Sequence, residues 1–309
     1  MANLINKLIY KKIRGILRGG LLERIFIDAA FHRALDRHDN VLIIGSSCAQ
    51  NGIISTKIDN ATLIAAPSQD IYYSIKLAKK IIDNEKNDIH TCVFILGYYT
   101  AFQDLSLQSK ERIDKVGGTY WPLLNDSHNW RVPYNPNYWH KGYRYPKKFK
   151  QFAEKIVYNY FYKNNSYYDD LARRENKRMY GGRTWDELSD KEKHSIADVR
   201  TKSHNKLFKY KDAYAENIKL LSDFQKELKK KNIRFIYMNP PFSRVYRTNI
   251  NKEYKNKTQQ MLKEANIEWI DFNDRVQMED ACFVDADHLN EYGAILFTKS
   301  LISILSKRG

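Results

Sequence analysis

The sequence predicts an α/β fold: a three-layer α/β/α domain, doubly wound around a mainly parallel sheet. Two observations carry this reading. Short apolar runs at 41–44, 62–66, 91–96, 234–238 and 267–271 have the continuous hydrophobicity of strands buried on both faces. Stretches of helical periodicity lie between most of these runs, and strands that alternate with helices assemble into a parallel sheet with helices on both sides.

In chain order, the first run ends in Gly45 and leads into Ser46 and Ser47. Residues 71–82, between the second and third runs, read as a helix, and the third run again ends in glycine, Gly97. From about 100 to 200 the rhythm breaks. Tyr120, Trp121, Trp130, Tyr134, Tyr138, Trp139, Tyr143 and Tyr145 interleave there with Arg131, Lys141, Arg144, Lys147 and Lys148. Residues 147–162 read as helical, and another helix is expected from Thr184, which with Glu187 has capping-box spacing. A long helix over about 202–231 leads back to the fourth strand. One near 251–265 links the last two strands, and a final one runs over about 290–305. The expected organisation is a basic, amphipathic helical segment over 1–38 and a single α/β domain over 39–309, with an aromatic and helical insertion at about 101–200.

In the first segment Ile5, Leu8, Ile9, Ile13, Ile16 and Leu17 recur at helical spacing, while Lys7, Lys11, Lys12, Arg14 and Arg18 take the other face. Charges every few residues deny it the unbroken apolar core of a secretory signal, so a cytoplasmic location is expected. Such a helix either packs on its own domain or a partner, or lies peripherally on the anionic inner face of a membrane.

Composition narrows the functional classes. The 309 residues include 43% hydrophobic ones, enough for a sizeable core, and no stretch approaches 18 uninterrupted apolar residues. Cys48, Cys92 and Cys282 form neither a disulfide framework nor a zinc pattern. A net charge of +16 attracts any polyanion, and abundant Lys, Asn, Ile and Tyr together are also what an AT-rich genome encodes. Nucleic-acid binding rests on charge alone and is not expected.

Chemistry concentrates at two points. Ser47 sits in the turn after the first strand, and Asp285 and His288 precede the last helix, three residues apart. A serine needs a base to become a nucleophile, and the base needs a carboxylate to fix its tautomer. The Asp285 and Asp287 pair has DxD spacing, but no further ligand cluster accompanies it, so no metal is expected.

Gly45-Ser46-Ser47, Asp285-Ala286-Asp287-His288, and then Leu289, Asn290 and Gly293 resemble the SGNH, or GDSL-like, hydrolase superfamily. Residues 67–73 (Pro-Ser-Gln-Asp-Ile-Tyr-Tyr) and Asn239-Pro240-Pro241 are similar to a branch among bacterial cell-surface polysaccharide and teichoic acid modification proteins. The resemblance covers 41–100 and 200–306. It implies a flavodoxin-like strand order, Ser47 as nucleophile, His288 as general base and Asp285 as its orienting partner.

The chain departs from the family at the oxyanion hole. The family uses the serine N–H, a second-block glycine and a third-block asparagine, where this chain has Ala65-Ala66-Pro67-Ser68 and Gly97-Tyr98-Tyr99-Thr100. Candidate donors are the Ser47 N–H, the Ser68 backbone or hydroxyl, the Gln69 amide and the Tyr98 or Tyr99 hydroxyl. Candidate substrate contacts are Trp121, Trp139, Asn239 and His204, with the insertion as a whole facing a glycan while individual aromatics build its small core. The expected activity is O-acetylation of a bacterial surface polysaccharide or its precursor, with acetyl-CoA as donor and no tightly bound cofactor. Carbohydrate O-acetylesterase activity, and an inactive glycan- or membrane-binding module, are the alternatives.

Overall fold

The five apolar runs form five parallel strands: β1 (Val41–Gly45), β2 (Ala61–Ala65), β3 (Thr91–Ile95), β4 (Arg234–Asn239) and β5 (Glu268–Asp271). This computed structural model describes residues 20–108, 115–129, 147–164 and 179–306. The N-terminal stretch from Ile5 to Arg18, Trp139 and the aromatic and basic cluster from Trp130 to Tyr145 lie outside the described residues. The strand order is β2-β1-β3-β4-β5, the flavodoxin-type order. The order reverses between β1 and β3, and in such a sheet a crevice opens there, at the carboxyl ends of the strands.

The helices are α1 (Gly20–Asp36), α2 (Ser47–Gly52), α3 (Ile71–Ile82), α4 (Trp121–Leu124), α5 (Lys147–Asn164), α6 (Asp190–Asn205), α7 (Lys211–Lys230), α8 (Arg244–Asn249), α9 (Glu253–Glu264), α10 (Phe272–Arg275) and α11 (Glu291–Leu305). Right-handed crossovers put α3, α7 and α9 on one face, where they pack side by side. There Phe94 of β3 stacks on Phe224 of α7 at 5.6 Å, and Phe235 of β4 meets both edge-on. On the other face α11 packs along α2, with Phe297 edge-on to Phe272 at 4.8 Å.

The boundary expected at residue 38 moves. Helix α1 buries Phe26, Ile27, Ala29 and Ala30 completely and packs against β2 and α5, so from Gly20 onward the chain belongs to the domain core. Arg33 fastens the α5 end by donating to the carbonyls of Tyr162 and Lys163.

Two helix boundaries also differ from expectation. Thr184 does not open a helix: its N–H bonds the Glu187 carboxylate and its hydroxyl bonds Asp186, closing a turn around fully buried Trp185. Helix α6 begins at Asp190, where Ser189 and Glu192 form the reciprocal capping box. The continuous helix expected over 202–231 is broken into α6, a 3₁₀ turn (Lys206–Lys209) and α7. At the break the Tyr254 hydroxyl of α9 donates to the carbonyl of His204, a group that a continuous helix would pair internally, and the Asn205 side chain accepts from the Asn251 N–H.

Candidate active site

Gly45 lies between Ala65 of β2 and Ile95 of β3. A Cβ there would run into the Ile95 carbonyl oxygen and the Ala49 side chain, so only glycine lets β1 turn directly into α2. That turn makes Ser47 the first residue of α2, where a backbone N–H has no acceptor within the helix.

The opposing loop is built by α11. Its cap, Asn290, accepts from the Gly293 N–H and donates to the carbonyls of Ala281 and Phe283. Gly293 lies against the Cys282 carbonyl, where a side chain would not fit. The Val284 N–H closes the loop on the His288 carbonyl at 2.9 Å. Asp285 Oδ1 accepts the N–H groups of Asp287 and His288, so the backbone itself aims the carboxylate.

Three predicted residues are thereby brought together. His288 Nε2 is 2.8 Å from Ser47 Oγ, and His288 Nδ1 is 2.9 Å from Asp285 Oδ2. Ser47 is 6% exposed, enough to be reached from the crevice but otherwise shielded from water. Burial works against a charged imidazole, but the Asp285 and Asp287 carboxylates outweigh it and hold the pKa of His288 up, at about 9. Burial likewise opposes the Asp285 carboxylate, and His288 outweighs it, so the acid stays ionised.

Two further residues complete this ring. Asp287, buried behind the histidine, receives Arg200 of α6: Nε donates to its carboxylate at 2.9 Å, and Nη2 lies 2.9 Å from Oδ2. The Cys48 thiol donates to the Asp287 carbonyl at 3.6 Å. Burial pushes that thiol far up, so Cys48 packs and does not react.

The remaining candidates separate. Ser68 follows β2 in the left-handed region, φ 62°, with its carbonyl taken by the Gln103 amide. Its N–H and hydroxyl have no partner among the described residues. The Gln69 amide is spent inside the protein, donating to Ser74 and accepting from the Tyr120 hydroxyl. The Tyr98 hydroxyl donates to Asp271 at 2.7 Å and accepts from Asn273, so it belongs to the β5 end of the sheet. Tyr99 lies flat on His204 at 3.7 Å, and His204 Nδ1 meets the Tyr246 hydroxyl at 2.5 Å, which makes His204 part of a buried aromatic stack and not a substrate contact. Asn239 is fully buried, donating to the Leu96 carbonyl and accepting from Trp269 Nε1, and it is likewise a scaffold residue. Trp121 is partly buried against the core at the start of α4.

Comparison with protein-family models and with curated proteins finds no match for this chain. The site therefore rests on its own geometry.

Sequence reasoning missed Arg200 and Tyr180, and it missed the role of Asp287. Tyr180 pairs with Arg183 across Gly181 and Gly182, whose positive φ angles of 61° and 89° form a tight turn. Burial, and then the carboxylates of Asp285 and Asp287, push the Tyr180 phenol pKa up to about 12. The Gly-Gly pair was a readable signal for the turn, whereas nothing local marked Arg200.

Among the described residues, Cys48, Asp287 and His288 form one group of potential metal ligands, and Asp104, His128 and Glu216 another. The first is engaged as above. In the second, His128 lies flat on Tyr72 at 3.6 Å, its Nε2 is 2.9 Å from Glu216 and its Nδ1 is 3.5 Å from Asp104. Burial opposes the charge on His128, but the carboxylates of Asp104 and Glu216 outweigh it and raise its pKa to about 9. In the second group His128 bonds Glu216 and pairs with Asp104 at ion-pair distance.

Proposed function

We propose that this protein is a serine-dependent acyltransferase acting on a carbohydrate, with Ser47 as nucleophile, His288 as general base and acid, and Asp285 as the group that orients His288. The observation that carries this reading is the continuous path from Ser47 Oγ through both ring nitrogens of His288 to the Asp285 carboxylate, 2.8 and then 2.9 Å. His288 takes the Ser47 proton as Oγ attacks the acyl carbonyl. The tetrahedral oxyanion forms against the Ser47 N–H, with the Ser68 N–H or hydroxyl as second donor. Collapse expels the leaving group, thiolate or alcohol, protonated by His288, and leaves an acyl ester on Ser47. A sugar hydroxyl, deprotonated by His288, then takes the acyl group and frees Ser47; water in its place gives an esterase.

The resemblance to polysaccharide-modification proteins favours acetyl transfer to a surface glycan or its precursor, with acetyl-CoA as donor. A cytoplasmic site, peripheral to the membrane, suits that donor, and no helix among the described residues is long and apolar enough to cross a membrane. An inactive, glycan-binding module is the second reading, and it draws on one observation: Gln69 and Tyr98 are committed elsewhere, which leaves the oxyanion hole without a family-type amide donor. Labelling by a fluorophosphonate, lost in S47A, together with a one-acetyl mass increase on Ser47 after incubation with acetyl-CoA, tests the proposal. Absence of both in folded protein overturns it in favour of the second reading.

A further inference from the structure

Arg200 is only half used. Its Nε and Nη2 face Asp287 side-on, which leaves the end-on edge, Nη1 and the second hydrogen of Nη2, with no partner among the described residues. A guanidinium has five N–H donors in a rigid plane, and its end edge presents two of them in parallel to a planar anion. The Arg200 side chain is 37% exposed, whereas that of Asp287, which anchors it, is 1% exposed. The free edge is therefore held in place before any ligand arrives, and ordering a long side chain is not an added cost of binding.

The position of this edge is set by what surrounds Arg200. Its partner Asp287 lies 3.6 Å from His288 Nδ1, so a single carboxylate separates Arg200 from the imidazole of the candidate active site. A fixed cation edge with two parallel donors suits a ligand that carries one carboxylate.

We propose that the outward edge of Arg200 binds the carboxylate of the acyl acceptor, and that the acceptor is an acidic sugar. This rests on the reading of Ser47 as the acyl nucleophile. A single guanidinium matches the single charge of a carboxylate with two parallel hydrogen bonds. The same edge could instead hold a phosphate of the acyl donor, and the experiment separates the two sources.

Titration of the full chain with D-glucuronate, its methyl ester and D-glucose, followed by NMR, tests the wild type directly. Glucuronate is expected to bind about tenfold more tightly than its ester, roughly the contribution of one charge-assisted pair. R200K, which keeps a cation beside Asp287 but gives up the planar edge, is expected to abolish that preference without lowering the melting temperature appreciably. Glucuronate that binds no better than its ester, or not at all, overturns the proposal, and this holds even if R200K fails to fold. Adenosine 3′,5′-bisphosphate binding that R200K removes, without a glucuronate preference, also overturns it and assigns the edge to the donor. Titration needs no turnover, so failure of fluorophosphonate labelling at Ser47 counts against the acyl-transfer reading separately.

Discussion

Ser47 Oγ and His288 Nε2 stand 2.8 Å apart although 241 positions separate them in the chain. If that contact generates the nucleophile, S47A removes both probe labelling and acyl transfer. D285N, which leaves His288 in the wrong tautomer, lowers kcat by about 10⁴-fold, the scale of such tautomer defects in serine hydrolases. Stopped assays on folded variants, verified by circular dichroism, read both.

His288 is charged at neutral pH, because Asp285 and Asp287 outweigh burial and hold its pKa at about 9. If its neutral form performs the first proton transfer, kcat/KM rises with pH and levels off above about 9. The effect on stability has the opposite sign. A raised folded pKa stabilises fully below the unfolded value of 6.5, and the contribution is lost as pH climbs through 9. A rate profile that is flat from pH 6 to pH 10 would contradict the assignment of His288 as base.

His128 ties the insertion to α7 by placing an imidazolium between Asp104 and Glu216. H128Q is expected to cost about 2 kcal/mol, below the loss typical of a buried pair because Glu216 is 41% exposed. The gap between wild-type and H128Q melting temperatures is widest below pH 6.5 and narrows as the pH passes 9, since the folded pKa is raised. Differential scanning fluorimetry across pH 5 to 10 measures it.

Gly45 admits no side chain against the Ile95 carbonyl and Ala49. G45A is expected to destabilise by about 1–3 kcal/mol, the usual range for overpacking, and to displace Ser47 enough to slow probe labelling. Urea denaturation and labelling kinetics on the same preparation separate the two effects.

N239A tests the reassignment of that residue. It leaves the Leu96 carbonyl and Trp269 Nε1 unpaired in the core, a loss of about 1–3 kcal/mol, while KM for any acceptor stays unchanged in the folded fraction. A raised KM at unchanged stability would return Asn239 to the substrate site.

The strands were legible because a run buried on both faces has no polar positions to obscure it, as in Leu42 to Ile44. Asp285 and His288 were legible because their relation is local, three residues around one turn. Arg200 was not, since its partner Asp287 lies 87 positions further along the chain. Thr184 and Ser189 both carry capping-box spacing, and the choice between them is made by Trp185, whose burial folds the first into a turn. Gln69 and Asn239 looked like ligands because amides are versatile. Their bonding capacity is consumed by the protein itself, Gln69 by Ser74 and Tyr120, and Asn239 by Leu96 and Trp269.

The Ser47–His288 pair draws its hydroxyl from the start of α2 and its imidazole from the loop before α11. During synthesis the serine leaves the ribosome well before the histidine, by roughly ten seconds to a minute at ordinary elongation rates. If Ser47 is the nucleophile, as proposed, it gains its base only when α11 docks against α2. A nascent chain that lacks α11 would then be unable to consume an acyl donor.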